Sequence, residues 1–278
     1  MEPSNLDKYC VFGNPIAQSR SPFIHHAFAV ATNKKISYQA KFVELGEFTS
    51  AIQTFIKEGG KGANVTAPFK EEALRIADHL TERARLAGAV NTLTIKDGKI
   101  YGDNTDGEGL VQDLIRNNII LENSRILLLG AGGAAKGVIL PLLSQSPKSI
   151  TIANRTLSKA SELCQQFNND KLFSCELTEE SAQPFDIIIN ATSASLSGQT
   201  FTLSSSIIAS HTACYDMVYG KAKTPFILWA EKHSANKKLD GLGMLVGQAA
   251  ESFQLWHSTK PEVDPVINKL RQSLKSES

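Results

Sequence analysis

The chain has 278 residues, 42% hydrophobic and 21% charged, an ordinary composition for a folded protein and long enough for two lobes. A formal net charge of +1 gives no electrostatic reason to expect nucleic acid or an anionic membrane as partner. No apolar run approaches the roughly 18 residues of a membrane span, and the start MEPSNLDKYC lacks the basic-then-apolar pattern of a secretory signal.

The four cysteines (Cys10, Cys164, Cys175, Cys214) are widely spaced with no C-x-x-C pair, so neither structural zinc nor a disulfide framework is expected. A reduced, cytoplasmic protein is the expectation. In chain order, KYCVFGN reads as a strand, SPFIHHAFAVA as a helix, ISYQAKFVEL as a strand, EFTSAIQTFIKEG as a helix and GANVTA as a third strand. The helical KEEALRIADHL follows. AVNTLTIK and KIYGD then flank Asp97-Gly98, a strong hairpin signal.

After residue 106 the pattern becomes regular. GEGLVQDLIRNN is a helix, SRILLLGAGGAAKGVILPLL a strand, glycine turn and helix, SITIANR a strand, LSKASELCQQF a helix, and FDIIINAT and TACYDMVY two more strands. Strands without polar alternation suit a parallel sheet covered on both faces, and their alternation with helices predicts a doubly wound α/β domain. GMLVGQAAESFQLW and a last helix near Pro265, with Asp264 as N-cap, close the chain. Val266, Ile267, Leu270 and Leu274 mark one face of that helix and predict a return to the first lobe. The expected division is 1–105 joined by 250–278 as one domain and 106–249 as a Rossmann-like one.

ILLLGAGGAAKG places Gly130, Gly132 and Ala135 in the G-x-G-x-x-G/A arrangement between a readable strand and helix. The first glycine permits the turn, the second lets backbone approach a pyrophosphate, and the third small residue allows close helix–strand packing. About 25 residues on, where an NAD-specific domain carries a carboxylate, the chain has Asn154, Arg155, Thr156 and Lys159. A guanidinium and an ammonium suit a ribose 2′-phosphate, so the cofactor expected is NADP.

In the first lobe, NPIAQSRSP, GANVTAPFK, GAVNTL and YGDNTDGEG supply candidate acids, bases and hydroxyl contacts. Taken singly they are weak: Ser21 suits a plain N-cap, Asn91 a turn, Gln248 a polar helix position and Lys70 a solvated surface charge. DNTDGE fails the calcium-loop spacing because Gly102 occupies the first ligand position, which excludes a metal there. Together with GAGGAA, NRT and GLGMLVGQAAESFQLW, these segments closely resemble the shikimate dehydrogenase family, in order from about Cys10 to Trp256.

The resemblance implies an N-terminal α/β substrate domain and reversible NADPH-dependent reduction of 3-dehydroshikimate to shikimate. It implies Lys70 and Asp106 as the catalytic pair, Ser19 and Ser21 on the substrate carboxylate, and Thr66, Asn91 and Asp106 on ring hydroxyls, with Tyr219 and Gln248 completing the pocket. On the cofactor side it implies Gly130, Ala131, Gly132, Gly133 and Ala134 at the pyrophosphate and Asn154 to Lys159 at the adenosine phosphate. Met217 and Gly241 would lie by the nicotinamide, and Glu82 near the cofactor. Met244 carries no assigned role. The resemblance is compatible with a homodimer, which the sequence itself does not fix. Where the family has Asn after the S-R-S-P-x-I-H run, this chain has His26, expected just behind the serines. A quinate-acting relative, a non-catalytic sensor on the same scaffold and a folate dehydrogenase stay open as alternatives.

Overall fold

The computed structural model describes residues 6–178, 181–198 and 203–276. The chain forms two compact units, Met1–Gly109 with Val246–Asn268, and Leu110–Leu245 with Lys269–Ser278.

The first unit is built on a six-stranded mixed sheet. Its strands are β1 (Asp7–Gly13), β2 (Ile36–Phe42), β3 (Gly60–Val65), β4 (His79–Leu80), β5 (Thr92–Lys96) and β6 (Lys99–Asp103), in the order β2-β1-β3-β5-β6-β4. β1 pairs in parallel with β2 and β3, whereas β5 is antiparallel to both β3 and β6. The β5–β6 hairpin turns at Asp97 and Gly98, both with positive φ, as the dipeptide predicted. Helices α1 (Ser21–Ala31), α2 (Phe48–Lys57), α3 (Lys70–Ile76) and α4 (Glu82–Ala87) complete its N-terminal part.

One cluster here joins Phe12, Phe48, Ile52, Phe55, Val65, Phe69 and Leu93. Phe12 meets Phe48 and Phe55 edge-on, and Phe48 stacks on Phe69 at 5.1 Å. Each such fully buried ring contributes ~1.5–3 kcal/mol relative to exposure.

The second unit carries a wholly parallel sheet of β7 (Arg125–Leu129), β8 (Ser149–Asn154), β9 (Leu172–Glu176), β10 (Ile187–Asn190), β11 (Ala213–Asp216) and β12 (Lys237–Asp240). The order β12-β11-β10-β7-β8-β9 is that of a doubly wound dinucleotide fold, with its topological switch between β7 and β10. Successive residues of β7 serve opposite faces: Ile126 and Leu128 join one cluster, Leu127 and Leu129 the other. That two-sided burial explains the unbroken apolar run ILLL. Helices α6 (Gly133–Leu143), α7 (Leu157–Phe167) and α8 (Pro225–Lys232) lie in this unit, while α5 (Asp106–Arg116), α9 (Leu242–His257) and α10 (Asp264–Ser276) run through the division points.

α4, β9, α8 and β12 lay beyond the sequence reading, and the helix expected over KEEALRIADHL stops at Ile76, the last two residues of that stretch forming β4 instead. β4 has two residues and α4 six, and β12 is the polar edge strand KKLD, so none shows a clean period. The last helix, expected to return whole to the first lobe, is divided. Its start, through Asn268, groups with the first unit, and Lys269–Ser278 group with the second, where Arg271 donates to both carboxylate oxygens of Asp240. Among the described residues no helix is long and apolar enough to cross a membrane.

Candidate active site

In the first unit, β3 ends at Val65 and the chain turns through a cis Ala67–Pro68 bond, with Phe69 N–H donating to Thr66 O at 3.0 Å. Phe69 is buried in the core and anchors the turn, so α3 starts with Lys70. Val90 N–H donates to Lys70 O at 2.9 Å and ties that residue's backbone to the segment entering β5. Lys70 Nζ then donates to Asp106 Oδ2 at 2.6 Å, both side chains partly open to solvent at 31% and 23%.

Asn91 is 3% exposed and holds the other carboxylate oxygen, Nδ2 donating to Asp106 Oδ1 at 2.8 Å. Its amide cannot be turned round: Thr105 N–H, a donor only, points at Asn91 Oδ1 from 2.9 Å. Nδ2 also lies 3.3 Å from Gln248 Oε1 on α9. Lys70, Asn91, Asp106 and Gln248 thus form one hydrogen-bonded group, with both oxygens of Asp106 accepting.

Behind them lie polar side chains the sequence reading did not single out. Asn64 on β3 donates to Asn91 O, Thr92 Oγ1 and Ser252 Oγ, and accepts from Tyr38 OH at 2.7 Å. Thr105 Oγ1 donates to Gln248 O at 3.0 Å. The available signal was a polar residue inside an otherwise buried element: Asn64 within GANV, and Ser252 one turn after Gln248 on the apolar helix α9.

A second support is Asp103, which accepts Arg83 Nε and Nη2, each at 2.7 Å, Thr81 Oγ1 at 2.6 Å and Asn104 N–H at 2.7 Å. Burial pushes the Asp103 carboxyl upward, but the Arg83 guanidinium and the other donors outweigh it and hold it below its ordinary value. Asn104 Oδ1 in turn accepts Asp106 N–H at 3.1 Å, so the loop that delivers Asp106 rests on this ion pair.

Ser19 and Ser21 are half-buried, and Ser21 N–H donates to Ser19 Oγ at 3.3 Å. Ser21 is the first residue of α1, with Arg20 at the cap position, so a plain N-cap role for Ser21 does not hold. Thr66 is half-buried and its N–H donates to Phe12 O. His26 is exposed on α1, and its neighbour His25 is the fully buried one. Glu82 is an exposed first-turn residue of α4 in the first unit.

In the second unit Gly130, just after β7, has φ +104, and a Cβ there would stand 3.0 Å from Thr192 Cγ2. Gly132 and Gly133 are exposed, and a Cβ on either would meet nothing within 4 Å. Their bareness serves no internal packing and leaves backbone free for a ligand. α6 begins there with no acidic residue in its first turn, and Ala135 is buried against the sheet. At the end of β8, Asn154 Nδ2 donates to Thr156 O at 2.9 Å and shapes the turn, while Arg155, Thr156 and Lys159 are exposed.

Open glycine backbone, a helix N-terminus and exposed cations in the stretch Asn154 to Lys159, which itself holds no Asp or Glu, fit a dinucleotide carrying a 2′-phosphate. Met217 and Gly241 meet directly: a Cβ at Gly241 would lie 2.1 Å from Met217 O, so only glycine fits. Tyr219, expected on the substrate, is a half-buried residue of this second unit.

Residues 11–93 match the shikimate dehydrogenase substrate binding domain family, 113–204 the shikimate / quinate 5-dehydrogenase family and 241–271 the shikimate 5'-dehydrogenase C-terminal domain family. The chain is 63% identical to the shikimate dehydrogenase (NADP(+)) of Colwellia psychrerythraea over 99% of its own length and 100% of the relative's. It is 52% identical to that of Vibrio cholerae, covering 98% of each. Among solved structures, an Ael1 enzyme from Pseudomonas putida superposes with a TM-score of 0.91 at 42% identity, over 95% of this chain and 98% of that one. Shikimate 5-dehydrogenase from Thermus thermophilus in complex with NADP(H) and shikimate superposes with a TM-score of 0.86 at 29% identity, over 97% and 100%. The chain belongs to the shikimate dehydrogenase family.

Proposed function

We propose that the protein catalyses the reversible, NADPH-dependent reduction of 3-dehydroshikimate to shikimate in the cytoplasm, on the route to chorismate and the aromatic amino acids. The Lys70–Asp106–Asn91 group carries the reading: a lysine held by a carboxylate whose two oxygens are both engaged, partly open to solvent.

NADPH supplies the hydride. The glycine backbone from Gly130 to Ala134 would take its pyrophosphate, Asn154, Arg155, Thr156 and Lys159 its 2′-phosphate end, and Met217 with Gly241 its nicotinamide end. Ser19 and Ser21 would hold the substrate carboxylate, and Thr66, Asn91, Asp106, Tyr219 and Gln248 its ring hydroxyls. Lys70 places its ammonium at the ketone oxygen, offsets the negative charge that develops there and gives up a proton to it. In the reverse direction Lys70 takes that proton back. Asp106 accepts from both Lys70 and Asn91, which suits it to orient the lysine and a substrate hydroxyl.

Shikimate and quinate assayed against NADP⁺ and NAD⁺, followed by absorbance of the reduced nicotinamide, test this reading. Turnover is expected with shikimate and NADP⁺. No turnover of shikimate, or a preference for quinate with NAD⁺, overturns it.

A further inference from the structure

Asp216, the last residue of β11, is fully buried, and among the described residues its four hydrogen-bonding partners are all neutral donors. Asn190 Nδ2 lies at 2.9 Å and Val218 N–H at 3.1 Å from Oδ1, while Ser195 Oγ and Thr224 Oγ1 each lie 2.6 Å from Oδ2. Burying a carboxylate is costly unless every lone pair is met, and a fully met one rigidifies what it touches. Here it ties together three separate segments: the loop after β10, the turn after β11 and the start of α8.

All three lie at the carboxyl ends of the parallel strands, and the first borders the switch between β7 and β10, where doubly wound sheets take their ligands. The path to the glycine loop is explicit. Asp216 holds Asn190, whose Oδ1 accepts Thr192 N–H at 3.1 Å and Thr192 Oγ1 at 2.7 Å. The Thr192 methyl then stands against Gly130, close enough to be 3.0 Å from a Cβ placed there. On the other side, Asp216 fixes Val218 N–H, and Asn190 O accepts Met217 N–H at 3.0 Å. Val218 O accepts Gly241 N–H at 3.1 Å, which completes the Met217–Gly241 contact.

We infer that Asp216 is a positioning residue for the dinucleotide. Acting through Asn190 and Thr192, it sets the wall facing the glycine loop, and through Val218 it sets the Met217–Gly241 end. The inference rests on the reading of the second unit as the NADP site.

The test is calorimetric titration of NADP⁺ into wild type, Asp216→Asn, Ser195→Ala, Thr192→Val and Thr192→Ser, with shikimate KM and thermal midpoint measured alongside. Asp216→Asn keeps the shape but turns one acceptor into a donor facing donors, and is expected to weaken NADP⁺ at least tenfold with shikimate KM within twofold. Thr192→Val keeps a methyl against Gly130 but loses the hydroxyl that Asn190 holds, and is expected to weaken NADP⁺ several-fold, whereas Thr192→Ser keeps the hydroxyl, loses only that methyl and is expected to weaken NADP⁺ less than Thr192→Val.

Unchanged NADP⁺ affinity in a folded Asp216→Asn protein overturns the inference, as does a parallel rise in both constants with a lowered thermal midpoint. If Asp216→Asn does not fold, Ser195→Ala and Thr192→Val decide: several-fold loss of NADP⁺ in both supports the inference, and wild-type affinity in either overturns it. Failure of the wild-type protein to bind NADP⁺ overturns the underlying site reading instead, so the two failures are distinct.

Discussion

Lys70 Nζ stands 2.6 Å from Asp106 Oδ2, and each of the two residues is the first of its helix. For the aspartate that position agrees with the helix dipole; for the lysine it opposes the dipole, by ~0.3–1 kcal/mol. A cation at the wrong end of a helix, held by a carboxylate at the right end of another, is a local rule broken in favour of placement.

Loss of the Lys70 ammonium is therefore expected to act on chemistry. Lys70→Ala should lower kcat by ~10²–10⁴, the range for a positioned general acid, with NADPH affinity nearly unchanged. Steady-state kinetics paired with NADPH titration check it. Wild-type turnover in the variant would remove Lys70 from the mechanism. Asp106→Asn, which keeps the shape but removes the charge opposite Lys70, should lower kcat in the same direction.

The Arg83–Asp103 pair predicts a stability effect that reaches the site. Arg83→Ala leaves a carboxylate with 8% side-chain exposure without its cation, and breaking such a pair costs ~3–5 kcal/mol. The Asp103 carboxyl lies below its ordinary value in the folded protein, so its contribution is present above the unfolded value and is lost as pH falls through the folded one. Urea unfolding should show a lower midpoint for Arg83→Ala at neutral pH and a gap that narrows in acid. Equal midpoints at neutral pH would show that the pair does not hold the Asn104–Asp106 loop.

How far the sequence reached can be traced through these residues. The parallel sheet was legible because β7 and β10 bury both faces and carry unbroken apolar runs, and the hairpin because Asp97 and Gly98 both take positive φ. The grouping of Lys70, Asn91 and Asp106 was expected only through the resemblance, since Lys70 alone reads as a solvated surface charge and Asn91 as a turn residue. Asn64, Thr105 and Ser252 were not reached: their roles depend on partners as far as 188 residues away, and no local period records that. The destination of the last helix was only half legible. Its apolar face is periodic whichever unit receives it, whereas the Arg271–Asp240 contact that holds its second half is tertiary.

Arg155 and Lys159 carry the cofactor prediction. Both are exposed beside the end of β8, and a guanidinium in general suits a phosphate because it can offer two parallel N–H donors. Arg155→Ala should weaken NADPH at least tenfold and leave NADH nearly unchanged, because only NADPH carries the 2′-phosphate. Binding titrations with both nucleotides decide it, and equal losses would count against a phosphate contact.

His25 predicts how the first unit responds to acid. Its ring stacks on Tyr38 at 4.2 Å and 7°, packs against Phe28, Phe253 and Trp256, and is fully buried. Neither ring nitrogen has a partner in hydrogen-bonding geometry among the described residues. Burial drives its pKa down to about 3, against a smaller opposing pull from Asn64, so the folded ring stays neutral where the unfolded one, near 6.5, takes up a proton. Its native-state advantage is complete above 6.5 and is lost as pH falls from there towards 3, on the order of 2–3 kcal/mol by pH 4.5. His25→Phe keeps an aromatic ring on Tyr38 and removes the titration. Urea midpoints measured from pH 7 to 4.5 should therefore fall less steeply in the variant than in the wild type. Parallel pH profiles would mean that another group governs acid stability and that His25 is already protonated, or hydrated, in the folded protein.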